Sequence, residues 1–88
     1  MNKTIKSYMV RAILAGDFEA WSGGEGNLDG VEVTGRVDDD VPHGSGQWGE
    51  KFRVVAVSPT RARAKLARAI VAQPDAELVS ITECELVQ

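Results

Sequence analysis

Apolar residues alternate with polar ones in four blocks of this chain and recur at helical spacing in a fifth. From Ile5 to Ala15, Tyr8, Val10, Ala12 and Leu14 fall on one face of an extended strand. Ile5, Ser7, Met9, Arg11 and Ile13 fall on the other. This block is apolar enough to predict a central strand, closed by Gly16-Asp17. Phe18-Glu-Ala-Trp21 fits either a continuation past a bulge or a short turn. Val31 to Val37 sets Val31, Val33, Gly35 and Val37 against Glu32, Thr34 and Arg36, the signature of a half-exposed antiparallel strand. Lys51 to Val57 predicts a third strand, with Phe52, Val54 and Ala56 on one face. Glu77 to Val87 predicts the last. There Leu78, Ser80, Thr82, Cys84 and Leu86 share one face, and Val79, Ile81, Glu83, Glu85 and Val87 the other.

The helical block lies between the last two strands. Ser58 is a good N-cap, and Pro59 occupies the first helical position, where a missing N–H costs nothing. Ala62, Leu66, Ala69, Ile70 and Gln73 form one stripe; Arg61, Lys65 and Arg68 form a nearly opposite one. Pro74 ends the helix. The predicted order is β-β-β-α-β: an antiparallel meander of three strands, a helix across one face, and a fourth strand returning beside the first. That is a small two-layer α+β domain spanning residues 1–88. Its expected core contains Val10, Leu14, Val33, Phe52, Val54, Leu66, Ile70 and Ile81.

Between the strands lie a glycine-rich loop, Ser22 to Asn27, a turn at Asp29-Gly30, and the longest irregular stretch, Asp38 to Gly49. Loops of that length inside compact domains tend to be functional or mobile.

Charge and cysteine content narrow the classes. A net charge of −3 argues against a general nucleic-acid binder that works by neutralising phosphates. The single cysteine, Cys84, excludes an internal disulfide and fits a reducing compartment. No signal-peptide stretch follows the basic N-terminus, and no apolar run is long enough to span a bilayer. A soluble cytoplasmic protein is expected.

Several motifs suggest chemistry. Gly44-Ser-Gly46-Gln-Trp-Gly49 matches G-x-G-x-x-G, but a strand follows it where a dinucleotide site needs a helix; it reads as a loop that lets Trp48 pack. His43, the one histidine, lies too close in sequence to Ser45 and Asp39 to form a triad with them, and Cys84 falls within a strand as a buried thiol. No catalytic residues are assigned. Asp38-Asp39-Asp40 lacks the ligand spacing of a calcium loop, so neither a metal nor a cofactor is expected. The triplet reads as a solvated acidic loop or as a contact for a basic partner. The stripe Arg61, Lys65, Arg68 reads either as a solvated face pairing with neighbouring acids or as a site for an anionic partner. Arg63 is placed at the margin of the apolar stripe, its stem covering core. Trp21 and Trp48 are core anchors or exposed contacts, and an exposed tryptophan would mark an interface.

The block from Phe52 to Ile70, Phe-Arg-Val-Val-Ala-Val-Ser-Pro-Thr-Arg-Ala-Arg-Ala-Lys-Leu-Ala-Arg-Ala-Ile, followed by Leu78-Val-Ser-Ile81, resembles a pattern in very small phage and mobile-element proteins, among them anti-CRISPR inhibitors. The resemblance is one of architecture and covers the C-terminal third to half of the chain. It implies a stoichiometric inhibitor that blocks a bacterial defence complex by surface complementarity, without catalysis. The expected function is therefore non-enzymatic protein binding through Arg61, Lys65, Arg68, Asp38, Asp39, Asp40 and Trp48. The alternative is a small nucleic-acid-binding module using the basic helix face, against which the overall acidity and the few strand aromatics both count.

Overall fold

A computed structural model describes residues 4–23, 27–28, 30–37, 41–42 and 44–87. Its elements are β1 (Lys6–Gly16), α1 (Phe18–Gly23), β2 (Asn27–Leu28), β3 (Val31–Arg36), β4 (Gln47–Ala56), α2 (Pro59–Val71) and β5 (Ala76–Leu86). One antiparallel sheet, in the order β2-β3-β4-β1-β5, carries α2 on one face, so the α+β two-layer expectation holds.

The expected meander needs correction. The first strand does not pair with the second. Instead β1 lies between β4 and β5, in register from Lys6↔Ala56 to Ala15↔Gln47 on one side and from Tyr8↔Leu86 to Gly16↔Ala76 on the other. Length and burial explain the arrangement. β1 has 11 residues, with Tyr8, Val10, Ala12 and Leu14 all buried, whereas β3 has six, of which only Val31 is buried. The strand with most apolar surface gains most from the centre, and the shorter polar one lies nearer the edge. β4 and β5, both antiparallel to β1, run parallel to each other, and α2 connects them.

The face under the helix is continuous. Tyr8, Val10 and Leu14 stand opposite Val54, Phe52 and Trp48, and Val31 stands opposite Val54 from the other side. α2 closes this wall with Ala62, Leu66, Ala69 and Ile70. Of the expected core, Val33 and Ile81 are only partly buried, packed against its margin.

Phe18–Trp21, undecided from the sequence, belongs to the short helix α1. Asp17 starts it, its carboxylate accepting from the Ala20 N–H at 3.2 Å. The helix brings Trp21 against Trp48 and Phe52, each ring centroid 6.3 Å away, while Phe18 meets Trp48 edge-on at 5.2 Å.

In β5 the alternating faces predicted from the sequence are also corrected. Pairing with β1 shifts twice, after Arg11↔Glu83 and after Ile13↔Ser80, so that Thr82 and Val79 are extra residues. Each bulge moves the pleat by one position. The residues packed toward the core are therefore Leu78, Ile81 and Cys84, three apart rather than two. The Thr82 hydroxyl donates to the Arg11 carbonyl at 3.2 Å and secures one bulge.

Candidate functional site

The phase of α2 is set at its first turn. Ser58 adopts an extended backbone, and its hydroxyl accepts from the Arg61 N–H at 3.2 Å. Its carbonyl accepts from the Ala62 N–H at 2.9 Å. With Pro59 fixed behind this cap, Ala62, Leu66, Ala69 and Ile70 must face the sheet, and Arg61, Lys65 and Arg68 are left exposed on another side. Arg63 is exposed as well.

That exposed side borders a groove. β3 follows β4 only as far as Val31↔Val54, and β4 runs on to Ala56. Beside this overhang lies a depression of about 410 Å³, with Ile5, Val55 and Val57 on the sheet side and Arg61, Lys65 and Arg68 on the helix side. A neighbouring hollow of about 390 Å³ shares Val57 and Arg61 with it and adds Thr4 and Lys6. Four cations thus border one continuous surface whose lining, among the described residues, includes no carboxylate. Ile5 and Val55 are 66% and 40% exposed, so apolar surface is open to solvent among the charges.

Lys65 is held in place. Its Nζ donates to the Val55 carbonyl at 2.6 Å. Among the described residues no ion-pair distance joins a carboxylate to Arg61, Lys65 or Arg68; an ion pair, Arg11 to Glu83 at 3.5 Å, lies elsewhere, on the uncovered face of the sheet.

The other sequence candidates separate. Trp48, expected among partner contacts, is a core residue at 2% exposure; it belongs to β4, which starts at Gln47 and not at Lys51. Asp38, Asp39, Asp40 and His43 lie outside the described residues. Cys84 is half-buried beneath α2, its sulfur 4.0 Å from the Pro59 carbonyl.

The G-x-G-x-x-G match has a structural explanation. Gly44 and Gly46 have φ of +76° and +79°, as a tight turn demands. At Gly49 a β-carbon would collide with the Val37 carbonyl, which crosses its outer side.

Sequence reasoning missed Glu50, which is 4% exposed and accepts from the Trp21 indole. The available signal was its place in the even-numbered series Trp48, Phe52, Val54, masked by the glycines that hid the start of β4. It also missed Ile5, Lys6, Val55 and Val57, which join the helix stripe only through the fold.

The aromatic residues bear on the choice of ligand. Tyr8, Trp21, Trp48 and Phe52 are buried, and Phe18 is half-buried with the Arg36 guanidinium 4.3 Å from its ring centre. None of the chain's five rings is exposed as a stacking platform for bases. No protein-family model matches the chain, and no curated protein and no solved structure matches it either.

Proposed function

We propose that this chain is a non-enzymatic protein-binding module that engages an acidic partner surface through the groove between α2 and the end of β4. The observation that carries the reading is the combination of Lys6, Arg61, Lys65 and Arg68 with open apolar surface at Ile5 and Val55. Cations alone would bind weakly, since each exposed ion pair contributes only about 0.2–1 kcal/mol. Apolar surface beside them supplies affinity, while the charges set specificity and speed of association. A nucleic-acid partner would use the same cations, but no ring is exposed to stack on bases.

In its narrower form the module is a stoichiometric inhibitor of a bacterial defence complex, as its architectural resemblance to anti-CRISPR proteins implies. The test is a pull-down from bacterial lysate with the wild-type chain and with the double variant Arg61→Glu, Arg68→Glu, both checked for unchanged circular dichroism. Retention of one protein complex by the wild type and its loss in the variant is the expected result. Equal retention by both would remove the groove as the contact surface. Binding by nucleic acid that weakens steeply with salt would replace a protein partner with a polyanion.

A further inference from the structure

We infer that the open face of the sheet, opposite α2, pairs with the same face of a second copy of the chain, β5 of each copy lying over β4 of the other. This surface shares only Val55 with the groove, and its partner is the chain itself.

The pattern that points there runs across β4, β1 and β5. The core-facing positions of β4 and β1 are even-numbered, so the odd ones lie on the open face. One row of that face is Arg53–Met9–Glu85, and the next is Lys51–Arg11–Glu83. On the other side of Met9, Val55 stands opposite Ser7, whose carbonyl accepts from the Val87 N–H at 2.9 Å. The third row is therefore Val55–Ser7–Val87. All three rows precede the first register shift of β5, so their heights along the strands match. Across β1, each cation of β4 thus has a carboxylate of β5 at its own height, and Val55 has Val87. The two flanking strands are about 10 Å apart. Among the described residues no ion-pair distance joins Arg53 or Lys51 to an acid, although Glu32 of β3 stands opposite Arg53. Arg53, Glu83 and Glu85 are exposed, as are Val55 and Val87.

Sheets packed face to face stand about 10 Å apart with their strands nearly aligned. A two-fold axis running along β1, midway between the copies, keeps heights and exchanges left with right. It sets Arg53 over Glu85 of the second copy, Lys51 over its Glu83 and Val55 over its Val87, and each contact occurs twice. Met9 meets its counterpart on the axis, where a flexible thioether adapts to the gap. The two Arg11 side chains also approach the axis, each already paired with its own Glu83. A two-fold axis across the strands would instead set β4 over β4 and β5 over β5, cation on cation and acid on acid, which is costly. The charge pattern therefore selects one orientation.

The contact is small. Three rows on three strands present on the order of 300–400 Å² per copy. Beyond Lys51 the Val37 carbonyl and the Val41 side chain lie over Gly49 and bound it. An interface of this size makes a weak, reversible dimer. Its charge pairs are near solvent, so salt should weaken it.

The test is charge exchange in the full chain, followed by sedimentation equilibrium from micromolar to millimolar concentration. The wild type is expected to pass from monomer to dimer over that range, with the Met9, Arg53 and Glu85 amide signals moving as concentration rises. Arg53→Glu alone and Glu85→Arg alone should each self-associate at least tenfold more weakly, since like charges then face each other. An equimolar mixture of the two variants should associate as the wild type does, because each supplies the charge the other needs. That rescue also shows that both variants are folded. The groove variant Arg61→Glu, Arg68→Glu should dimerise like the wild type. The inference is overturned if the wild type stays monomeric at millimolar concentration, if the single variants associate as tightly as the wild type, or if the mixture associates no better than its components. It is equally overturned if the groove variant abolishes self-association. None of these outcomes touches the lysate pull-down, which judges the groove separately.

Discussion

The indole Nε1 of Trp21 donates to Oε2 of Glu50 at 3.0 Å, with both side chains buried, so a carboxylate inside an aromatic cluster ties α1 to the sheet. Leaving such a buried acceptor without its donor costs about 1–3 kcal/mol. Trp21→Phe keeps a ring but removes the donor. It is expected to cost at least that amount in urea unfolding. Glu50→Gln still offers an oxygen to the indole and should cost less. A Trp21→Phe protein as stable as the wild type would show that the bond does not hold α1 in place.

Leu66 is fully buried at the contact between α2 and the sheet. Leu66→Ala should lower stability by about 2–5 kcal/mol, the range for emptying a core site that relaxes incompletely. Chemical denaturation with an unchanged m-value is the appropriate measurement.

Ser58→Ala removes the side-chain acceptor of the Arg61 N–H and should cost about 1 kcal/mol. Ser58→Asp keeps an acceptor and adds a negative charge at the helix N-terminus, so it should restore most of the loss. Thermal unfolding of the two variants side by side separates the cap from a general effect of substitution.

Gly49→Ala places a methyl group against the Val37 carbonyl. The Val37 N–H also donates to the Gly49 carbonyl at 2.9 Å, so the segment cannot simply move aside without losing a bond. A cost of about 1–3 kcal/mol is expected. Hydrogen exchange should rise at Val37, whereas α2 amides should keep their protection.

Much of this fold was legible because local signals agreed. Ser58-Pro59 opened α2, Pro74 followed its end, and the period of Ala62, Leu66, Ala69 and Ile70 oriented it. The central position of β1 followed from the apolar richness of the block Ile5 to Ala15. What stayed hidden depended on partners far away in sequence. The bulges at Val79 and Thr82 arise from pairing with β1, and a strict period of two mistook their faces. The Trp21–Glu50 bond spans 29 positions, and the glycines before β4 disguised Trp48 as a loop residue. Half of the candidate site could be read from the helix stripe. The other half, Lys6 and Val55 above all, came from the sheet.

The two irregularities in β5 also govern how the molecule behaves in a crowd. β5 is 11 residues long and forms the sheet's border, with Val79 and Leu86 47% and 53% exposed. A flat border of that length would recruit neighbouring chains into ever wider sheets. Here only Ser80 and Ile81 separate the two extra residues. An incoming strand would fall out of step almost as soon as it began to pair, and the exposed carboxylates Glu77, Glu83 and Glu85 would repel a second copy of the same border. The chain thereby carries its own safeguard against polymerisation along one flank, and it does so without a proline.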